Sequence, residues 1–195
     1  MTLFQQHVAK WRDCQLCPLH SQRTRVVLCR GSLPCDVLFV GESPGVSEDA
    51  LGLPFVGPAG KLLDRIISQA FPDSVRTAFT NVVGCFPAEA KRTNDHSPPP
   101  EAIKACSPRL KEIVRLAKPR LVVLVGGTAR KSIVGQAQFC EREENGHPPW
   151  IVEGQFMEFV EIAHPASILK MPTAGQGLAV RKAVVTLRNA VRKML

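Results

Sequence analysis

The sequence has no run approaching the ~18 consecutive apolar residues that a bilayer-spanning helix needs, so no membrane span is expected. Its first residues, "MTLFQQHVAKWRDC", lack the apolar core of a secretory signal, and an intracellular setting is expected. Internal repeats and low-complexity tracts are missing too. Acidic residues are in the minority: 17 Asp and Glu stand against 25 Lys and Arg, a formal charge of +8. That balance favours an acidic partner, with nucleic acid first and a merely solubilising excess as the plain alternative. Thiols stay reduced inside cells, so seven cysteines point to metal or reactive thiols rather than disulfides. The 195 residues suit one domain, residues 1–195, with enough core to need no disulfide staple. A monomer is expected.

Strand and helix signals alternate. "DVLFVG" (Asp36–Gly41) and "PRLVVLVGG" (Pro119–Gly127) are short apolar runs ending in glycine, the pattern of buried strands. "AFTNVVGCF" is a third strand candidate that runs into a loop, and "FMEFVEIAHPAS" a fourth, with its end placed at His164. "AGKLLDRIISQAF" (Ala59–Phe71) and "EAIKACSPRLKEIVRLA" have helical spacing, a helix is expected from about Thr128, and "GLAVRKAVVTLRNAVRKML" reads as a basic amphipathic helix. Continuously apolar strands between helices predict an α/β fold with a parallel sheet covered on both faces. Sites in such sheets form beyond the carboxyl ends of the strands. Glu42, Asn81, Gly126 and His164 all follow apolar runs and are expected to share one crevice.

Cys14 and Cys17 form a C-x-x-C pair, a spacing used by zinc ribbons, redox pairs and iron–sulfur sites alike. Cys85, just after a strand, and Cys106, early in a helix, are available to complete a four-thiolate site. Cys29, Cys35 and Cys140 remain as spares, and a lone cysteine is ordinarily a small buried apolar residue. Four thiolates suit zinc or a cubane cluster, and spacing does not choose between them.

The runs "CQLCPL", "RTRVVLCRGSLPCDVLFVGESPG", "EDALGLPFVGPAGKLLD", "TNVVGCFP", "PPPEAIKACSPRL", "KPRLVVLVGGTA" and "HPASILK" span nearly the whole chain. Together they resemble the iron–sulfur uracil-DNA glycosylases, family 4. The resemblance implies a three-layer α/β/α sandwich around a four-stranded parallel sheet. It also implies a [4Fe–4S] cluster with Cys14, Cys17, Cys85 and Cys106 as ligands, and DNA containing uracil as partner. With no secretory signal read in the first residues, the expected location is cytoplasmic or nucleoid-associated.

Hydrolysis of an N-glycosidic bond leaves positive charge on the sugar and negative charge on the departing base, after the base has been flipped from the stack. Glu42 is the expected carboxylate beside the sugar and the attacking water. The Gly/Pro loop that follows lets backbone approach phosphates and the flipped nucleotide. Phe55 offers a ring for stacking. Asn81 carries a donor and an acceptor for a pyrimidine edge, and in the family this asparagine separates uracil from cytosine. Glu48 matches the place of a side chain against the uracil C5 edge, where it would obstruct the thymine methyl; Asp49 reads as structural. His164, opening "HPAS", is the expected donor to uracil O2 as charge builds there. Ile168 and Leu169 are candidate wedges for the gap left in the duplex, and Lys170 a phosphate contact.

The loop "AKRTNDHSPPP" (Ala90–Pro100) departs from the family's short version and contains His96. A sister group holds a histidine in this loop that becomes covalently attached to DNA. His96 falls one residue out of register with it, and a solvated loop histidine is the expectation. A glycosylase of this fold acting on another deaminated or modified base, and an inactive iron–sulfur DNA-binding module, are the competing readings.

Overall fold

The computed structural model describes residues 1–88, 97–134, 150–152 and 155–194. Its strands are β1 (Arg30–Gly31), β2 (Val37–Gly41), β3 (Thr77–Asn81), β4 (Leu121–Val125), β5 (Trp150–Val152) and β6 (Gln155–Ile162). Its helices are α1 (Leu3–Trp11), α2 (Val46–Leu51), α3 (Pro58–Ala70), α4 (Pro100–Ala117), α5 (Gly127–Val134), α6 (Pro165–Leu169) and α7 (Thr173–Met194).

Side chains alternate across a strand, and that alternation sorts the core into two halves. Leu38 and Val40 of β2, with Val122 and Leu124 of β4, pack under α4 and against Ala129 and Ile133 of α5. Val37 and Phe39, with Leu121, Val123 and Val125, pack on the other face against α3 and α7. On α7 the buried residues Ala183, Val184, Leu187 and Val191 recur at helical spacing and leave the basic side outward. The three-layer arrangement expected from the alternating pattern is present.

The sheet itself is larger than expected. Its order is β1-β3-β2-β4-β6-β5. The four central strands pair in parallel, but β1 and β5 add antiparallel edges, so the sheet is mixed. Two further expectations shift. The last parallel strand ends at Ile162, and His164 is instead the N-cap of α6. The C-terminal helix begins at Thr173, ahead of the glycine where it was expected.

The strand order creates the functional crevice. From β2 the chain moves to β3 on one side, then crosses to β4 on the other. The connection after β2 leads to α3 on one face, and the connection after β4 leads to α5 on the opposite face. Connections that diverge at neighbouring strand ends leave a cleft there. Among the described residues no helix is long and apolar enough to cross a membrane.

Candidate active site

A cavity of about 600 Å³ opens at the carboxyl ends of the four parallel strands. Glu42 comes from the end of β2, Asn81 from β3, Gly126 from β4 and His164 from beyond β6, and all four line it. The shared crevice expected from the strand ends is therefore formed. Phe55, Glu48 and Lys170 line it as well.

The two strand ends that carry Glu42 and Asn81 are tied together past the end of the ladder. Val82 N–H donates to the Gly41 carbonyl at 2.8 Å, and Val83 N–H to the Glu42 carbonyl at 3.0 Å. Glu42 is half-buried and Asn81 is buried. A Cβ on Gly41 would collide with both Asn81 Oδ1 and Phe55 Cζ. The Asn81 amide and the Phe55 ring thus close directly over the bare Cα, an approach that only glycine permits.

Glu48 is buried rather than solvated, and it is held hard. Its Oε1 accepts from Val56 N–H at 2.9 Å and from Gly57 N–H at 2.7 Å. It borders the cavity as an anchored wall that also latches the Phe55 loop. Asp49, its neighbour, has the structural place expected of it: both carboxylate oxygens accept from Thr24 N–H at 2.9 Å, joining α2 to the segment before β1.

His164 Nδ1 accepts from Ala166 N–H at 3.2 Å, capping α6. A nitrogen that accepts carries no proton, so the neutral ring holds its hydrogen on Nε2. Burial lowers the pKa of His164 and outweighs the upward pull of the Glu48 carboxylate. The ring is therefore a neutral donor at ordinary pH.

Beyond His164 the candidate wedge divides. Ile168 is fully buried in the core between α3 and α7, so it has no path into a duplex; that half of the expectation is withdrawn. Leu169 is 38% exposed and Lys170 is exposed, which leaves them as the outward-facing pair. His96 lies outside the described residues, as does residue 140.

One residue of this region went unread in the sequence. Arg109 of α4 is fully buried. It donates through Nη2 to the carbonyls of Asn81 and Val82, the latter at 3.1 Å, and its Nη1 reaches Thr80 Oγ1 at 3.3 Å. It braces the end of β3 from beneath. The available signal was an arginine beside the apolar stripe of Ala102, Cys106, Leu110 and Ile113.

The candidate ligand thiols come from the N-terminal segment (Cys14, Cys17), the loop after β3 (Cys85) and α4 (Cys106). Cys85 and Cys106 are buried, and Cys14 and Cys17 half-buried; all are free thiols. Cys85 interacts electrostatically with Cys14, Cys17 and Cys106, and Cys17 with Cys14 and Cys106, so the four share one neighbourhood. Burial pushes the Cys85 thiol up to about 12 and raises Cys17 as well. Arg23 stands beside them, donating to the Cys14 carbonyl at 2.6 Å, while its Nη1 is buried without a hydrogen-bond partner. A buried unpartnered cationic donor next to thiols suits an anionic group. Among the described residues no three His, Cys, Asp or Glu side chains are arranged to hold a single metal ion. Cys29 and Cys35 are buried core residues, as the plain reading of a lone cysteine has it.

The profile of the Uracil DNA glycosylase superfamily matches residues 30–188. The type-4 uracil-DNA glycosylase of Pyrobaculum aerophilum is 32% identical over 165 residues, covering 83% of this chain and 82% of that protein. Its counterpart from Thermotoga maritima is 33% identical, covering 82% and 79%. The one from Saccharolobus solfataricus is 38% identical, covering 83% and 74%. Such similarity extends through the strand ends that build the cavity and well beyond any single motif, and the chain belongs to the type-4 branch of the uracil-DNA glycosylase superfamily.

Proposed function

We propose that the protein removes uracil from DNA by hydrolysing its N-glycosidic bond, leaving an abasic site. The observation that carries this reading is the shared cavity lined by Asn81, Phe55, Glu42 and His164, with Asn81 and the Phe55 ring meeting over Gly41. A flipped pyrimidine stacks on Phe55 and pairs its edge with the Asn81 amide. Glu42 stabilises the cationic sugar and orients water for attack at its anomeric carbon. The Nε2–H of His164 donates to O2 of the departing base, a contact of the kind worth ~2.7–4 kcal/mol of barrier. Glu48, anchored by two amides, is the wall against a C5 methyl. Leu169 fills the gap in the duplex and Lys170 meets a phosphate, while the net charge of +8 supplies nonspecific affinity.

Cys14, Cys17, Cys85 and Cys106 hold a [4Fe–4S] cluster in this reading. Their common neighbourhood and the Arg23 donor support it. The cluster supplies a cross-link between the N-terminal segment, the loop after β3 and α4; base hydrolysis needs no electron. Iron and sulfide should be found in anaerobically purified protein, and stoichiometric zinc without iron would reject the assignment.

The deciding experiment measures free base released from duplexes carrying U·G, U·A, T·G or hypoxanthine·T. Uracil release that Glu42→Gln strongly slows is expected. Release of another base in preference to uracil, or of no base, would overturn the proposal.

A further inference from the structure

Phe55 has an unusual backbone. Its φ is +56°, in the left-handed region where a bulky residue is strained. Such a conformation persists only where its surroundings hold it. A Cβ on Gly60 would run into the Phe55 carbonyl, so α3 closes tightly on the loop from below. From the amide side, Glu48 latches Val56 and Gly57.

The carbonyl side is held by Arg30, on the short edge strand β1. Its Nε donates to the Pro54 carbonyl at 3.0 Å and its Nη2 to the Phe55 carbonyl at 3.2 Å. Asp64 of α3 fixes the same Nη2 at 2.9 Å. The guanidinium also lies 3.9 Å over the Phe79 ring, and the Phe79 ring stands 6.0 Å from that of Phe55, tilted by 55°. Arg30 therefore reaches Phe55 twice, through its backbone and through a ring it stacks on. The planar fork meets two successive carbonyls while its face covers an aromatic, which lysine does not reproduce.

We propose that Arg30 is a positioning residue that sets the Phe55 ring at the wall of the cavity before DNA arrives. The inference rests on the uracil reading given above. Arg30 and Glu48 grip opposite sides of one strained peptide segment, and the ring between them is pre-placed rather than recruited by substrate. Binding then loses little to ordering of the loop.

The test compares Arg30→Met with wild type, each alone and in a Phe55→Ala background. Methionine keeps a stem to cover Phe79 and removes the donors. In Arg30→Met the KM for a uracil duplex should rise by about ten- to hundredfold, with a much smaller change in the single-turnover rate at saturation. In the Phe55→Ala background the same substitution should change KM little, because the ring it positions is gone. Hydrogen exchange of the Val56 and Gly57 amides should accelerate in Arg30→Met while those of β2 and β4 keep their protection. If Arg30→Met does not fold, Arg30→Lys carries the same comparison with a smaller effect. Unchanged exchange at Val56 and Gly57 overturns the proposal whatever base the enzyme takes, and so does an equal KM effect with and without Phe55. Failure of wild type to release uracil, with exchange accelerated as expected, overturns the substrate reading and leaves the positioning role standing for another base.

Discussion

The cavity and the cysteine group of this molecule treat the burial of polar groups in opposite ways. At the cavity, Glu48, Asp49 and His164 each bond to nearby backbone amides, so the protein alone fixes them. Beside the cysteines, Arg23 Nη1 and the Oγ of Ser107, which follows Cys106 on α4, are buried without a hydrogen-bond partner. A buried donor left unpaired costs about 1–3 kcal/mol, more when charged. The first is a set of side chains that the fold holds in place, which is what the proposed reaction site requires. The second holds a buried guanidinium, Arg23, that calls for an anionic partner the side chains do not supply. Damage to the first should appear in rate and selectivity, and damage to the second in stability and metal content.

The largest effect tests that division at the cysteine group. Cys106→Ser should abolish metal binding and lower the melting temperature on the order of 10 °C or more, since a structural metal contributes several kcal/mol and each is worth about 2–4 °C in a chain of this size. Cys35→Ala, in the core but outside the ligand set, should keep full iron content and melt only a few degrees lower. Metal analysis alongside calorimetry reads both. Equal iron content in the two variants would erase the distinction between the two groups.

Legibility in the sequence followed the same physical lines. β2 and β4 were readable because both their faces are buried and their residues are all apolar. The edges β1 and β5 were not, because two or three residues have no period of their own and become strands only by pairing with β3 and β6. α1 was overlooked although Thr2 and Gln5 form a capping box, a local signal that was present in "TLFQ". The residues converging on the cavity were readable because strand ends converge in this topology. Ile168 was misread because adjacent residues of a helix point about 100° apart, and only the fold sets which of the pair faces in. The latch from Glu48 to Val56 and Gly57, and the brace from Arg109 to Asn81, join side chain to backbone across loops; nothing local announces either.

A smaller effect concerns His164, where two roles coincide on one ring. Asparagine is a good helix N-cap and lacks the imidazole donor. His164→Asn should therefore keep the melting temperature within about 2 °C, yet lower the single-turnover rate by about 100- to 1000-fold. The folded histidine titrates below its ordinary value of about 6.5 because it is buried. Between the depressed and the ordinary value the unfolded chain binds more protons, so stability rises with pH across that window. This contribution is complete above the unfolded value and is lost as pH falls through the folded one. The rate should fall on the same acid side, because protonation puts a hydrogen on Nδ1, where Ala166 N–H already donates. A rate profile with no acid-side fall tracking the His164 titration, or a large loss of stability in His164→Asn, would separate the ring from the chemistry.

The smallest effect lies in Glu48, and it asks whether a wall and a latch can be told apart. Removing the side chain does two things at once. It takes away the bulk beside the C5 position, where a methyl clash is worth ~1–3 kcal/mol of selectivity. It also strips the acceptor from two amides, one of them buried, at a cost of about 1–3 kcal/mol to the Phe55 loop. Glu48→Gly should therefore slow uracil release by about tenfold while raising the ratio of thymine to uracil released. Glu48→Gln keeps the size, and its amide oxygen still accepts from Val56 and Gly57. It should stay within a few-fold of wild type in rate, with selectivity unchanged. Time courses of free base from U·G and T·G duplexes distinguish the cases. A gain in thymine with uracil release intact would make Glu48 a wall alone. Loss of uracil release with no gain in thymine would make it a latch alone. Both together are what a carboxylate bordering the cavity and anchored on the loop behind it requires.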